Sequence, residues 1–157
     1  YITLGLMLYR AGRFPESEEA FRVAIELSPQ RANTRAYLAF VLLAQGRADE
    51  ALAAALEEPE RWFRLEALAV VHYVAGRRKE ADDTLRELIE AGADPAAYQI
   101  ASVYAVRQEP DSAFEWFERA YRLRDTGLAE MKSNPRLRPL HGDPRWPEFL
   151  AKVGLPA

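Results

Sequence analysis

The two histidines are the side chains best suited to acid–base chemistry near neutral pH, but neither has the partners that such chemistry needs. His72 lies inside an apolar stretch, and no carboxylate or nucleophile stands at a fixed spacing from it, as a catalytic histidine would require. His141 precedes Gly142 and Asp143, and two ligands in one turn are too few for a zinc site. We therefore predict that His72 packs between helices and that His141 lies in a turn, with no metal bound.

The other residues that could carry chemistry do not converge on a site either. The acidic pairs at 18–19, 57–58 and 82–83 are expected at helix starts or on solvent-facing sides, where the helix dipole and water stabilise them. The 157 residues include no cysteine, which excludes a disulfide, a thiolate zinc site and a cysteine nucleophile. A glycine-rich phosphate loop, a serine-centred elbow and an HExxH motif are also missing from the sequence. The pattern predicts neither an enzyme nor a bound cofactor.

Charge and hydropathy narrow the class of partner. The net charge is −3, whereas a nucleic-acid-binding segment needs a clear basic excess, and the basic run at 77–79 lacks interleaved aromatic residues that could stack on bases. Hydrophobic residues make up 49% and charged residues 29%, which is a globular balance, and the apolar stretches are too short to span a bilayer. No signal-peptide pattern is visible. We expect these residues to bind neither nucleic acid nor membrane, and we expect a cytoplasmic location.

A pattern of small and large apolar residues repeats four times along the chain. Its anchors are the turn residues Gly12, Gly46 and Gly76 and, in the fourth copy, Gln108, which are 34, 30 and 32 residues apart. Each glycine follows an apolar stretch and precedes an acidic one, as expected where one helix ends and a turn begins.

Four offsets from these anchors carry the same residue types in every copy. The residues eight and seven before the anchor are aliphatic and small: Leu4 and Gly5, Leu38 and Ala39, Leu68 and Ala69, Ile100 and Ala101. The residues five and nine after it are Ser17 and Phe21, Ala51 and Ala55, Ala81 and Leu85, Ala113 and Phe117. Small residues on both helices of a pair let the two axes approach, and the larger side chain fills the remaining gap.

The segment from Gly12 to Pro29, which reads GRFPESEEAFRVAIELSP, resembles the second half of a tetratricopeptide repeat, including its closing proline. A period of about 34 residues is typical of that repeat. The resemblance covers roughly residues 1–125 and implies an all-α fold, a right-handed superhelical array (α-solenoid) of antiparallel helix pairs that share one core. The expected pairs are residues 1–31, 32–61, 62–94 and 95–125, followed by a capping segment at 126–157.

The same register predicts the individual helices. In the second copy, the second helix should end one turn early at Glu57-Glu58-Pro59, which accounts for the 30-residue spacing. The predicted helices are 1–10, 14–27, 31–44, 48–57, 60–74, 78–91, 95–106 and 110–123, with short ones near 127–133 and 144–153.

The C-terminal segment changes character after Arg124. Four Xaa-Pro steps between Asn134 and Pro147 exclude one long helix. The blocks MKSNP at 131–135, PLHGDPRW at 139–146 and GLP at 154–156 are similar to the end of the repeat region in bacterial regulators that carry a cyclase, winged-helix or kinase domain. Physically, Trp146, Phe149 and Leu150 are expected to cover the open face of the last repeat.

The resemblance implies that the first helix of each pair lines a concave face where family members bind peptides. This groove is predicted to be apolar and aromatic, and it does not reproduce the lysine and asparagine clamp with which some relatives hold a terminal carboxylate. Its predicted lining residues are Ile2, Leu6, Tyr9, Arg10, Asn33, Ala36, Phe40, Leu43, Glu66, Val70, Tyr73, Tyr98, Ser102 and Ala105. An apolar strip of this kind fits the hydrophobic side of a partner helix or extended segment. The alternative is that neighbouring helices cover part of it, so that it belongs to the core.

Two functions remain open at this point. The first is a non-enzymatic scaffold that binds a peptide or helix of a partner protein in the groove. The second is a regulatory or sensory C-terminal domain of a larger bacterial signalling or transcription regulator, which the C-terminal resemblance implies. Self-association through exposed repeat ends is a third possibility, so the oligomeric state stays open.

Overall fold

The computed structural model describes residues 1–155, and Pro156 and Ala157, the last residues of the predicted capping segment, lie outside them. Within this range the chain folds into helices without a β-strand. The α-helices are α1 (Ile2–Arg10), α2 (Phe14–Leu27), α3 (Thr34–Ala44), α4 (Ala48–Leu56), α5 (Arg61–Val74), α6 (Arg78–Gly92), α7 (Ala97–Val106), α8 (Pro110–Arg122) and α9 (Arg145–Lys152). Two 3₁₀ helices, Thr126–Ser133 and Pro135–Leu140, precede α9.

The predicted helices are confirmed, with two late starts and one addition. α3 begins at Thr34 and α7 at Ala97, later than the predicted residues 31 and 95. The short helix expected near 127–133 is a 3₁₀ helix, and the 3₁₀ helix Pro135–Leu140 was not predicted. Its prolines are compatible with a short 3₁₀ turn, because few backbone N–H donors are needed there.

The chain divides into two compact units, unit 1 (Tyr1–Glu87) and unit 2, which begins at Leu88. In unit 1, α1 to α5 pack consecutively, and α3 also packs on α5. In unit 2, α7 packs on α8 and on the two 3₁₀ helices.

The first pair of unit 1 shows why small residues recur before each turn. A Cβ atom added to Gly5 would lie 2.9 Å from Cζ of Phe21, whose side chain is completely buried. The Ser17 hydroxyl donates a buried hydrogen bond of 2.7 Å to the carbonyl of Gly5. α1 and α2 therefore approach closely at Gly5, and the phenyl ring fills the space that a larger residue would need.

All four repeat anchors adopt the left-handed backbone conformation. Gly12, Gly46 and Gly76 have φ angles of 76°, 75° and 77°, and Gln108 has a φ of 57°. The residue after each anchor donates its backbone N–H to a carbonyl of the preceding helix, as Arg47 does to Leu42 and Glu109 to Tyr104. The fourth copy therefore keeps the same turn, although an L side chain there costs about 1 kcal/mol.

Replacing Gln108 by glycine is expected to stabilise the protein by up to about 1 kcal/mol, because it removes the strain of a side chain at positive φ. Chemical denaturation followed by circular dichroism measures this difference. The matched control is Ala11→Gly, at an ordinary right-handed φ of −78° before an anchor, which should lose about 0.5–1 kcal/mol. A Gln108→Gly variant that loses as much as this control would contradict the strain argument.

Glu58 connects the end of α4 to the start of α3. Its side chain is fully buried, and its two carboxylate oxygens accept four backbone hydrogen bonds. The donors are the N–H groups of Asn33 (2.8 Å), Arg35 (3.1 Å), Ala36 (3.1 Å) and Glu60 (3.2 Å). Three of these donors lie at the start of α3, where no side chain of the helix itself provides a cap. The prediction that the acidic pair at 57–58 faces solvent is therefore wrong for Glu58.

Asp125 has the corresponding position in unit 2. It follows α8, and its Oδ2 accepts a hydrogen bond of 3.2 Å from the N–H of Tyr98 in the first turn of α7. Its Oδ1 accepts another of 2.8 Å from the N–H of Gly127 at the start of the first 3₁₀ helix. In both pairs, a carboxylate beyond the second helix caps the first helix of the same pair.

We expect Glu58→Ala to destabilise unit 1 by at least about 3 kcal/mol, because it leaves four backbone donors in or near the core without their acceptor. Glu58→Gln keeps one carbonyl oxygen and should lose less. Thermal and urea unfolding of both variants, followed by circular dichroism, measures the effect.

The matched control is the adjacent Glu57→Ala. The Glu57 side chain is 71% exposed and pairs with Arg35 at 3.4 Å, so its removal should change stability by less than about 0.5 kcal/mol. Equal effects at Glu57 and Glu58 would show that the buried cap contributes nothing beyond surface charge.

Candidate partner-binding surface

Eight of the predicted groove residues are buried. All eight are at most 4% exposed: Tyr9, Ala36, Phe40, Glu66, Val70, Tyr98, Ser102 and Ala105. In unit 1, the ring centroids of Tyr9 and Phe40 lie 6.3 and 6.0 Å from that of Tyr37, in edge-to-face geometry. These aromatic residues pack between α1 and α3, so their rings contribute to the core, as the alternative interpretation of the strip anticipates.

Six predicted groove residues keep part of their side chains open, and all lie in unit 1: Ile2, Leu6, Arg10, Asn33, Leu43 and Tyr73. Four of the six, Ile2, Leu6, Leu43 and Tyr73, are apolar or aromatic. The guanidinium of Arg78 lies 3.8 Å from the centroid of the Tyr73 ring and covers part of it. The accessible part of the predicted groove is therefore a mainly apolar edge, which these six residues form along the first helices of unit 1.

In unit 2, the C-terminal segment covers the first-helix face. The side-chain amide of Asn134 donates a hydrogen bond of 3.0 Å to the hydroxyl of Tyr98, and a Cβ atom added to Gly127 would lie 2.6 Å from the Tyr98 ring. Seven large apolar residues of the segment join the core of α7 and α8: Leu128, Met131, Leu137, Leu140, Trp146, Phe149 and Leu150. Tyr98, Ser102 and Ala105 are thus core residues beneath this cap, and Trp146, Phe149 and Leu150 pack as the sequence predicts.

Unit 1 also contains an open cleft that sequence reasoning missed. Its volume is about 360 Å³, and it lies between α2 and α4 with α3 beneath. Its apolar lining is Ile25, Leu38, Leu42, Ala53 and Ala54, and its charged lining is Arg22, Glu26, Arg35, Glu50 and Glu57. The signal in the sequence was the run of alanines in α4, because small side chains leave room between neighbouring second helices.

Glu18 is the centre of an electrostatic cluster between the first two pairs. It accepts hydrogen bonds from Gln45 (2.8 Å), Arg22 (2.7 Å) and Arg47 (2.6 Å). Burial opposes ionisation of Glu18, but these hydrogen bonds outweigh it and lower its pKa. Arg47 also donates to Glu50 and so bridges α2 and α4. Arg47, which follows the second turn, therefore joins the first two pairs.

His72 occupies a packing position, as predicted. It lies four residues before Gly76, where the first two copies have Leu8 and Leu42, and its Nδ1 atom is buried without a hydrogen-bond partner among the described residues. Burial, together with the positive charge of Arg77, lowers the pKa of His72. The Glu80 carboxylate acts in the opposite direction and raises this pKa, but its effect is smaller than that of burial or of Arg77.

The His-Gly-Asp triplet is a turn before α9. The ring of His141 lies 4.8 Å from that of Trp146, and Asp143 accepts hydrogen bonds from the backbone and guanidinium of Arg145. The guanidinium bonds, reinforced by the backbone N–H of Arg145, lower the pKa of Asp143 to about 2. Within residues 1–155, no group of three or more His, Cys, Asp or Glu side chains could hold a metal ion.

Replacing His72 by leucine is expected to stabilise unit 1 by about 1 kcal/mol at pH 7, because it removes a buried nitrogen without a partner. The pKa of His72 is lower in the folded state than its ordinary 6.5, so protonation favours the unfolded state. The stability of the parent chain should therefore fall as the pH drops below 6.5, and the variant should lose this part of the decline.

Urea unfolding at several pH values between 5 and 7.5 tests this expectation. The control is His141→Gln, which keeps His72 and should retain the decline. If the stability of His72→Leu and of the parent chain fell in parallel as the pH drops, His72 would not be the cause of the decline.

The helix pairs, their small-residue contacts and their left-handed turn residues define a helical-hairpin repeat protein. Family models described as tetratricopeptide repeat match residues 8–61 and 66–127, which together make up most of the chain. The chain belongs to the tetratricopeptide repeat family and has its all-α, solenoid type of fold. Repeats of this family generally mediate protein–protein interaction, and neither match indicates an enzyme.

A comparison with curated proteins finds no match. In the part of the chain that the structure describes, no helix is both long enough and apolar enough to pass through a bilayer.

Proposed function

We propose that the chain is a protein-binding module that takes an apolar segment of a partner along the first-helix edge of unit 1. Membership of the tetratricopeptide repeat family supports a binding function in general. The location of the site is supported by half-buried apolar side chains on successive first helices: Ile2, Leu6, Leu43 and Tyr73. Partly exposed apolar residues that line one surface are typical of interaction sites.

The chemistry of this edge favours an apolar partner segment with few charges. Ile2 and Leu6 stand where a carboxylate-clamping relative would need polar side chains, so recognition of a free C-terminus is not expected. The backbone N–H of Asn33 is already bonded to Glu58, which leaves it no role as a donor to a ligand. A partner helix or extended strand would bind by burying apolar area, with Arg10 at the border of the site.

Burial determines how a variant should be designed. Phe40 is only 3% exposed, so its truncation would open a cavity and destabilise the core by about 3–5 kcal/mol. A loss of binding by such a variant could then come from unfolding and not from a lost contact with the partner. Leu6 and Leu43 are only partly buried, and a glutamate at either position can keep its charge in water.

The double variant Leu6→Glu, Leu43→Glu is expected to reduce partner capture by at least about tenfold, because it places charge on the apolar surface that the partner must bury. Affinity purification from source cells, with quantitative mass spectrometry, measures the captured proteins. Thermal unfolding of the variant confirms that it is folded.

The matched control carries the same two charges on second helices, as Leu27→Glu with Leu56→Glu. These side chains are 69% and 59% exposed, and their replacement should leave capture unchanged. Unchanged capture by the Leu6, Leu43 variant, or equal loss in the control, would refute the proposed edge.

The regulator hypothesis stays a prediction from the C-terminal resemblance. The burial of seven large apolar residues from that segment in the core of unit 2 supports a fixed structural cap. A cyclase, kinase or winged-helix domain encoded in the same gene would support the hypothesis, and a gene without one would count against it.

A further inference from the structure

The cleft between α2 and α4 has an apolar floor and two apolar walls. Its apolar residues are Leu38 and Leu42 on the floor, Ile25 on the α2 side, and Ala53 and Ala54 on the α4 side. Ile25 and Ala54 are half-buried and Ala53 is exposed, so apolar area remains available on both walls. The volume of about 360 Å³ is at the lower end of the range of ligand sites, roughly 300–1,000 Å³. The cleft is therefore large enough for an inserted side chain of a partner.

At one end of the cleft, the charged side chains neutralise one another. Arg22 pairs with Glu18 at 2.7 Å and reaches Glu50 at 3.9 Å. Arg47 pairs with both of these carboxylates at 2.6 Å. Two guanidinium groups thus balance two carboxylates, and this end offers a ligand no excess charge.

The opposite end of the cleft lies where α2 and α4 finish, at Leu27 and Leu56. The end of a helix carries a partial negative charge, and neither helix has a basic residue in its last turn to offset it. Glu26 and Glu57 add two carboxylates to the lining of the cleft at this end. The helix ends and the side chains therefore contribute charge of the same sign.

Arg35 offsets only part of this negative charge. Its guanidinium pairs with Glu57 at 3.4 Å and also donates a hydrogen bond to the carbonyl of Pro29. The Glu26 side chain is exposed and forms no ion pair or hydrogen bond within residues 1–155. One carboxylate beside the apolar walls is thus left for a cation that the chain itself does not supply.

We propose that this cleft binds a basic segment of a partner protein. One aliphatic side chain of the segment inserts between α2 and α4, where it buries apolar area against Ile25 and Ala53. A lysine or arginine of the same segment pairs with Glu26 at the negative end of the cleft. The site lies on second helices, apart from the first-helix edge assigned under the proposed function, so either assignment can fail without the other.

Charge also disfavours the other occupants of the cleft. An acidic segment would bring its carboxylates next to Glu26 and Glu57, which costs free energy. Two copies of the chain packed cleft to cleft would place their Glu26 side chains at one interface without adding a cation. The negative end therefore selects a basic segment over an acidic one or a second copy.

The test begins with a library of short random peptides displayed on phage and selected on the immobilised whole chain. We expect at least one enriched class that combines an aliphatic residue with a lysine or arginine within about four positions, the spacing of neighbours on one side of a helix. The most enriched peptide of this class is then synthesised with a fluorescent label. Its affinity for the chain and for variants is measured by fluorescence anisotropy.

Glu26→Lys in the chain should weaken this binding at least about tenfold. A lysine in the last turn of α2 interacts favourably with the helix dipole, so the variant should fold like the parent chain. A peptide whose basic residue is replaced by glutamate should bind this variant within about threefold of the original affinity. Ala53→Leu places a larger side chain on the open wall, in a strong helix former, and should also weaken binding at least about tenfold.

The matched control is Glu19→Lys, the same charge change on an exposed residue of α2 outside the cleft lining. Glu19 lies two helical turns before Glu26, about 10 Å along the axis, which exceeds the screening length of about 8 Å at physiological salt. It should change the affinity by less than about twofold. Leu6→Glu with Leu43→Glu, which alters the first-helix edge, should also leave the affinity unchanged.

Four results would overturn the proposal. The first is a selection without an enriched class that combines aliphatic and basic residues. The second is equal loss of binding in Glu26→Lys and Glu19→Lys, which would indicate attraction by net charge alone. The third is loss with Leu6→Glu and Leu43→Glu but not with Ala53→Leu, because the peptide would then occupy the edge. The fourth is a dimer in sedimentation that dissociates with Ala53→Leu, because a second copy would then fill the cleft.

Discussion

The start of a helix that is buried among other helices needs an acceptor for its first backbone N–H groups, since water cannot reach them. In unit 1 this constraint falls on α3, which packs on α2, α4 and α5. Glu58 meets it with one carboxylate that accepts four N–H groups, and these bonds compensate the desolvation of a charge with no exposed surface. α4 ends at Leu56, two residues before Glu58. The longer α8 ends at Arg122, three residues before Asp125, which makes the equivalent bond to α7. The cap is therefore compatible with second helices of different length.

The repeat register was predictable because the spacing of small residues reflects a physical contact. Gly5 must be small since the Phe21 ring lies directly against it, and the equivalent Ala39, Ala69 and Ala101 are at most 1% exposed. Gln108 could be placed in the register despite not being a glycine, and its positive φ confirms that assignment.

Other features depend on distances that periodicity does not encode. The Glu58 side chain accepts a hydrogen bond from an N–H group 25 residues earlier in the chain. The local sequence, two adjacent glutamates, does not indicate such a distant partner. The pattern also indicates which residues lie on the first-helix face, but not how closely neighbouring first helices approach. Tyr9 and Phe40 lie on that face in the sequence and are buried around Tyr37 in the structure.

These contacts determine which surfaces remain for a partner. In unit 2, the C-terminal segment contributes its apolar residues to the core over Tyr98, so binding to that face would require the cap to unfold. Unit 1 keeps a partly open apolar edge on its first helices, and the proposed function rests on this edge. Hydrogen–deuterium exchange of the chain with and without a captured partner tests that claim most directly. The account predicts slower exchange in Ile2–Arg10 and around Leu43, whereas protection confined to the cleft between α2 and α4 would contradict it.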